Sequence, residues 1–378
     1  MRDPSIKLIA GCMTGTSLDG LDASLVEVCG QGLAMRAKLI GTVGLGLDDL
    51  ADVLAPMAQG RAHAPLDYMR AARRLGELHA LAVERLCRDY MPADGRLSLV
   101  AAHGQTIWHA PDAGVSWQLL DPQPIVRRLG VPVCFDLRQA DLIAGGQGAP
   151  ITPISDWVMF RHPDRDRLIV NLGGISNVTH LPAGGSPRQV QGADIGPCNL
   201  LIDGVVRRLY PDRRFDTDGR IAKDGRIDLE VFGLIQRHPA ITGQATRSLG
   251  REDFTDSWIS DLVDNLLDRL APADIVASVV EAVAGLIARS PLAKAHDVVL
   301  AGGGARNPVL AGRLRELLTG RAVMLSDELG VPVEARESAG FAVLGALSRD
   351  GVPISLPGIT GANDPGVAGH WVFPGATK

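Results

Sequence analysis

The stretch IKLIAGCMTGTSLDGLDASLVEV, Ile6 to Val28, opens with a short apolar run (Ile6 to Ala10), passes through a turn rich in Gly, Thr and Ser, and ends in a second run with β-branched residues (Ala23 to Val28). It reads as strand, polar loop, strand. The same order of events returns at LIVNLGGISNVTHL, Leu168 to Leu181, where two apolar runs flank a pair of glycines. This echo predicts two related α/β lobes. Working outward, Leu75, Leu78, Ala82 and Leu86 recur at spacings of three and four between charged residues, which predicts an amphipathic helix over Pro65 to Tyr90. Short apolar runs at Leu97 to Ala101, Val131 to Phe135, Val298 to Ala301 and Val323 to Leu325 add strands. Helices are expected over Asn199 to Tyr210, Trp258 to Leu270, Ala273 to Arg289, Pro308 to Leu318 and Val333 to Ser348, each bounded by Gly, Pro or capping residues. The expected first lobe is 1–150 plus a returning tail, 351–378, whose Trp371-Val372-Phe373 packs back on it; 151–350 forms the second.

A chain of 378 residues, 46% apolar, is long enough for two cores, since single domains run roughly 100 to 200 residues. Lysine and arginine total 38 against 43 acids, a net charge of -5. No basic footprint for nucleic acid is present, and a small-molecule substrate fits better. The five cysteines, Cys12, Cys29, Cys87, Cys134 and Cys198, lack paired CxxC spacing, which favours buried free thiols in a reducing compartment. No secretion signal opens the chain and no window reaches the roughly 18 to 20 apolar residues of a membrane span. A soluble, cytoplasmic protein is the expectation.

Several stretches carry chemistry. In Gly11 to Asp22, glycines let successive amides face one concavity, and Thr16 and Ser17 add hydroxyl donors, as a polyphosphate requires. Asp19 and Asp22 fit there only with magnesium or its waters in between. In GADIGPCN, Gly192 to Asn199, an acid and a glycine turn precede a helix whose N-terminal amides and dipole suit an anion, with Asp194 at a strand end. VVLAGGGARNP, Val298 to Pro308, is an apolar strand, three glycines, a capping Asn307 and a first-turn proline. It is neither a Walker loop nor a dinucleotide fingerprint. HGQTIWH, His103 to His109, mixes polar groups with Trp108 as an apolar platform, suited to sugars. Its two histidines lie six apart with no third ligand near, so a zinc site is rejected. FDLRQADLIAGGQGAP, Phe135 to Pro150, is a second stretch with the look of a substrate contact.

MTGTSLDGLD, HGQTIWH, FDLR with AGGQGAP, NLGGISN, DIGPCN, GREDF at Gly250 to Phe254 and AGGGARNP, in that order over most of the chain, resemble anhydro-N-acetylmuramic acid kinases. The resemblance implies a two-lobed actin-like, ribonuclease H-like sugar kinase fold with a cleft between lobes, a homodimer, and use of ATP and Mg2+. It implies ATP-dependent ring opening and 6-phosphorylation of 1,6-anhydro-N-acetylmuramic acid in peptidoglycan recycling. Asp194 would be the catalytic base. Gly15, Thr16, Ser17, Leu18, Asp19, Gly20, Leu21 and Asp22 would hold phosphates, with Asp19 meeting Mg2+ through water. Gly173, Gly174, Asn177, Gly196, Asn199, Gly302, Gly303, Gly304 and Asn307 would complete the nucleotide site. His103, Gln105, Thr106, Arg138, Gln147 and Glu337 would line the sugar site. The chain departs from the family pattern at Thr14, at Cys198 where glycine is usual, at Leu249 where threonine is usual, and at Gln139-Ala140 where arginines are usual. Two alternatives share the fold: a levoglucosan kinase working on another 1,6-anhydro sugar, and a nucleotide-dependent sensor or switch.

Overall fold

A computed structural model describes residues 6–15, 18–242, 249–250 and 253–375. The chain divides into two compact units, Met1–Phe160 with Ala335–Lys378, and Arg161–Glu334.

The first unit holds β1 (Ile6–Thr14), β2 (Leu21–Cys29), β3 (Arg36–Leu45), β4 (Leu97–His103), the hairpin strands β5 (Gln105–Ala110) and β6 (Val115–Leu119), β7 (Val133–Phe135) and a C-terminal strand, His370–Val372. Its main sheet runs C-terminal strand, β7, β4, β1, β2, β3. β1, β2 and β3 form an antiparallel meander, while β4 lies parallel to β1 and β7 parallel to β4. β1 and β2 are buried along most of their length because helix Pro65–Tyr90 and helix Arg336–Arg349 pack against them. Strands so covered lose the polar alternation of a one-sided sheet. Gly11 allows the second helix to come this close: a Cβ there would lie 2.0 Å from Ser338 O and 2.3 Å from Ala342 N.

The second unit holds β8 (Arg167–Leu172), β9 (Ile175–Leu181), β10 (Gln191–Pro197), β11 (Asp297–Ala301) and β12 (Ala322–Leu325), in the order β10, β9, β8, β11, β12. Here too three strands form an antiparallel meander and two follow in parallel. Its core gathers Leu168, Val170, Leu201, Val205, Val279, Val283 and Leu310 from strands and helices alike. Asn307 caps helix Pro308–Leu317, its side-chain oxygen accepting from Val309 N at 3.0 Å and Leu310 N at 3.2 Å. An antiparallel meander continued by parallel strands is the ribonuclease H-like order, and the chain builds it twice, as actin-like proteins do.

The observed units do not divide where the sequence suggested. Helix Pro153–Phe160 and helix Arg336–Arg349 both belong to the first unit, so the divisions fall at Phe160/Arg161 and Glu334/Ala335 rather than after residues 150 and 350. Arg336 and Asp156, both fully buried, join these helices in a bidentate ion pair. The tail does return, Trp371 pairing antiparallel with Cys134. β1 and β2 run to Thr14 and from Leu21, longer than expected, because the two strands pair right up to their turn. None of the five cysteines forms a disulfide, but Cys29 is exposed and Cys87 half-buried, so burial holds only for Cys12, Cys134 and Cys198. Among the described residues no helix is long and apolar enough to cross a membrane.

Candidate active site

In the second unit three glycine turns meet. The carbonyl of Gly173 accepts from Asn199 N at 3.0 Å, and that of Gly174 accepts from Cys198 N at 2.8 Å and Leu200 N at 3.1 Å. Asn199 Nδ2 donates to Leu172 O at 3.0 Å. The third turn closes on the same spot: a Cβ on Gly302 would lie 2.7 Å from Asn171 Oδ1 and 2.9 Å from Leu172 O, and one on Gly304 would lie 2.7 Å from Asn199 Oδ1. Gly173, Gly174, Asn199, Gly302 and Gly304 are therefore brought together.

The expected free amides at the helix start are not found, however. The first amides of helix Asn199–Leu209 are already bonded to the β8–β9 turn, so they are not free for phosphate. A Cβ on Gly196 would face Leu286 and Ile241 at 3.4 and 3.7 Å. The oxygen of Asn307 is committed to its cap, which leaves only its Nδ2 for a ligand. Cys198 sends its side chain into the core, fully buried, which keeps the substituted position off the turn's outer surface.

Gly302 makes a sharp test of this junction. Its φ of +81° favours glycine, and a Cβ there would meet the Asn171 side chain and the backbone of Leu172. Gly302→Ala must strain the loop by about 1 to 3 kcal/mol or push it off Leu172. The expected result is a KM for ATP raised at least roughly tenfold, the equivalent of 1.4 kcal/mol, in steady-state kinetics, with the sugar KM changed far less.

Asp194 lies within β10 rather than at its end, beside a register shift between Asp194 and Gly196. Across the sheet it pairs with Asn177, which pairs in turn with Asn171. Opposed residues share a face, so two amides and a carboxylate form one row. Asp194 Oδ2 accepts from Leu249 N at 2.8 Å. The other carboxylate oxygen has no hydrogen-bond partner among the described residues. Burial pushes its pKa up to about 6, against the Leu249 N–H that lowers it and with a contribution from Asp253 that raises it. Arg251 and Glu252, of the GREDF stretch, lie outside the described residues.

In the first unit, Leu18 N bonds Gly15 O at 3.2 Å, with Leu18 at a φ of 58°, and Asp19 is exposed. Thr16 and Ser17 lie outside the described residues. The Leu21 side chain is fully buried in the core, so only its backbone is available to a phosphate. Asp22 pairs across the sheet with Met13 and Gly44.

His103, Glu337 and the loop carrying Gln147 lie by Arg138, which donates from Nε to His103 Nε2 at 3.1 Å and from Nη1 to Gly148 O at 2.7 Å. Burial lowers this guanidinium to about 10, while Glu337 and Asp141 support its charge. Burial and the Arg138 charge hold His103 well below the usual histidine range, so the ring is neutral and packs on Phe341 with centroids 4.7 Å apart. Glu337 stands half-buried in the first turn of its helix. Gln105 is fully buried, its Nε2 donating to Thr106 O at 3.4 Å, whereas Thr106 lies at the polar face of the hairpin. Sequence reasoning overlooked Asp141. Its two oxygens accept from Gly148 N at 2.7 Å and Thr360 Oγ1 at 2.6 Å, fixing the loop that carries Gln147, whose own amide bonds Thr360 O at 2.9 Å. An acid flanked by a glycine-rich loop was the available signal.

Two ribonuclease H-like units, glycine turns at strand ends and an arginine-centred polar cluster define an ATP-using carbohydrate kinase. A family model described as anhydro-N-acetylmuramic acid kinase matches residues 7–374. The chain is 34% identical to the protein of that name from Salinibacter ruber, over 98% of this chain and 97% of the relative, and 32% identical to that from Bacillus cereus (strain AH820), over 97% and 99%. Solved structures include component A of the (R)-2-hydroxyglutaryl-CoA dehydratase of Acidaminococcus fermentans, at 13% identity and a TM-score of 0.45 over 91% of this chain and 99% of that one. A ROK family glucokinase from Streptomyces griseus gives 12% and 0.41, over 89% and 98%. The chain belongs to the anhydro-N-acetylmuramic acid kinase family.

Proposed function

We propose that this protein opens the anhydro bridge of 1,6-anhydro-N-acetylmuramic acid with water and phosphorylates the released 6-oxygen from ATP, giving N-acetylmuramic acid 6-phosphate for cell-wall recycling. It does so as a cytoplasmic homodimer. The supporting observation is the Asp194 carboxyl, held by one backbone N–H, raised to about 6 and with its second oxygen unbonded to protein among the described residues.

A 1,6-anhydro sugar has no free 6-hydroxyl, so phosphorylation requires the bridge to break. Water is a weak nucleophile at neutral pH. A carboxylate titrating near 6 is ionised at pH 7 and still basic enough to take a proton, which contributes roughly 100- to 10,000-fold. In the proposed step Asp194 Oδ1 removes a proton from water as its oxygen bonds to C1, the C1–O6 bond breaks, and O6 bonds to the γ-phosphorus while ADP leaves. Asn177 and Asn171 lie on the same row of the sheet. Arg138 and Glu337 orient the sugar.

Among the described residues no group of three or more His, Cys, Asp or Glu forms a metal cage. A single exposed carboxylate on a glycine-rich turn suits Mg2+, which keeps several waters and binds through phosphates plus one or two carboxylates. Asp19, exposed on the β1–β2 turn, is the residue that would hold it through water. When bound, the ion neutralises charge on the transferring phosphoryl group.

Isotope tracing tests the reading. In ¹⁸O water, at times short against spontaneous anomeric exchange, the purified 6-phosphate is expected to carry one label at C1 and none in its phosphate. Unlabelled product would exclude ring opening by water.

A further inference from the structure

The β5–β6 hairpin has two unlike faces. Trp108 and Trp117 pair across one of them, both about half exposed, at 55% and 46%. The other carries Thr106 opposite Gln118 and His109 opposite Ser116. These four side chains form one chain of hydrogen bonds: Gln118 Nε2 donates to Ser116 Oγ at 2.6 Å and reaches Thr106 Oγ1 at 3.5 Å, and Ser116 Oγ lies 2.9 Å from His109 Nδ1.

That chain fixes one end of the Gln118 amide and leaves the other uncommitted. Gln118 Oε1 is buried and has no hydrogen-bond partner among the described residues. Such an atom costs stability unless something else satisfies it. The face it belongs to adjoins the arginine cluster: Thr106 is itself an expected sugar contact, the Arg138 charge and the Gln147 backbone both act on His109, and Gln139 Nε2 donates to Gly114 O at 3.1 Å in the hairpin turn. Burial and Arg138 lower the His109 pKa, so the ring is uncharged at neutral pH. The strip Thr106, Gln118, Ser116, His109 is therefore neutral throughout, and Arg138 is the nearby group suited to a carboxylate.

We propose that Gln118 is a specificity-determining residue that accepts a hydrogen bond from an uncharged donor on the sugar, a hydroxyl or the acetamide N–H. This rests on the functional reading above and names a sugar contact outside the motifs that carried it. A site built to pair a donor discriminates strongly because its buried acceptor is otherwise left unpaired.

The test compares wild type, Gln118→Leu and Gln118→Glu on the charged 1,6-anhydro-N-acetylmuramic acid and the uncharged 1,6-anhydro-N-acetylglucosamine. Glutamate keeps an oxygen at the free end, and Ser116 and Thr106 can turn their hydroxyls to donate to it. Gln118→Leu is expected to raise the KM and the calorimetric Kd for both sugars roughly tenfold, the value of one lost hydrogen bond, with the KM for ATP unchanged. Gln118→Glu is expected to stay within about threefold of wild type on the uncharged sugar. Unchanged sugar Kd in Gln118→Leu overturns the proposal, as does an equal rise in the KM for ATP, which marks a structural defect. A loss in Gln118→Glu confined to the charged sugar would place Gln118 against the carboxylate and overturn it too. Wild type that binds these sugars without phosphorylating them overturns the functional reading instead, and wild type that binds neither overturns both.

Discussion

Asp194→Asn is expected to fold, bind ATP and lose turnover by at least roughly two orders of magnitude, the share usually supplied by a general base. The amide keeps an oxygen for Leu249 N, so the local backbone has no reason to move. What disappears is the proton acceptor. Near-normal turnover would remove Asp194 from that role. The wild-type pH profile supplies a second measurement: kcat/KM should fall on the acid side with an apparent pKa near 6, because the carboxyl is protonated below that value.

The same substitution has a stability consequence of definite sign. The folded-state pKa is raised from 3.8 to about 6, so folding holds the proton more tightly than the unfolded chain does. Between those two values rising pH ionises the unfolded chain first and stability falls; above about 6 the cost is constant, at roughly 2 to 3 kcal/mol. Asparagine carries no such cost. Denaturant midpoints should therefore show Asp194→Asn more stable than wild type at pH 8 and nearly equal to it at pH 4. Equal stability at both would mean that the carboxyl is not strained by burial. A wild type less stable than Asp194→Asn at pH 8 is the cost expected of a base buried for chemistry.

Asp156→Asn is expected to destabilise the first unit by about 3 to 5 kcal/mol, the cost of stranding one member of a buried ion pair. Arg336 and Asp156 are both almost wholly inaccessible, and Thr152 Oγ1 accepts from Arg336 Nη2 at 3.3 Å. Arg336 Nη1 is buried with no hydrogen-bond partner among the described residues, so the guanidinium has little else to rely on. Asparagine retains the shape and removes the charge that compensates it. The double variant Asp156→Leu with Arg336→Met should recover most of the loss, since an apolar pair of similar volume needs no solvation. Urea unfolding distinguishes the cases, and a loss below about 1 kcal/mol in the single variant would show that solvent reaches the pair. Because Glu337 follows Arg336 in the same helical turn, the single variant should also raise the sugar KM.

The fold was legible because its two units repeat one pattern of apolar runs and glycine turns. β1 with β2 and β8 with β9 were each readable from a window of about twenty residues, since hairpin pairing is local and the apolar runs have no choice of face when helices cover both sides. The helices over Pro65–Tyr90 and Pro308–Leu317 were equally plain, the first from its period and the second from Asn307 and Pro308 at its start. The unit boundaries were not, because Arg336 and Asp156 are remote in sequence and only packing selects such a partner. β10 illustrates the same limit at the site: the sequence put Asp194 at a strand end, while pairing with Asn177 carries the strand through it.

Residue types and local order alone determined the duplicated α/β architecture and the glycine turns, because propensity, periodicity and motif spacing act over short separations, whereas Asp194 was singled out by the resemblance to a family. Only tertiary structure decided which groups in those motifs are free. It gave the helix amides at Asn199 to the carbonyls of Gly173 and Gly174, sent the Leu21 and Cys198 side chains into the core, set Asp141 to hold the Gln147 loop, and left Gln118 Oε1 uncommitted. Hydrogen-bond capacity is allotted between neighbours in space, and a linear sequence does not say who they are.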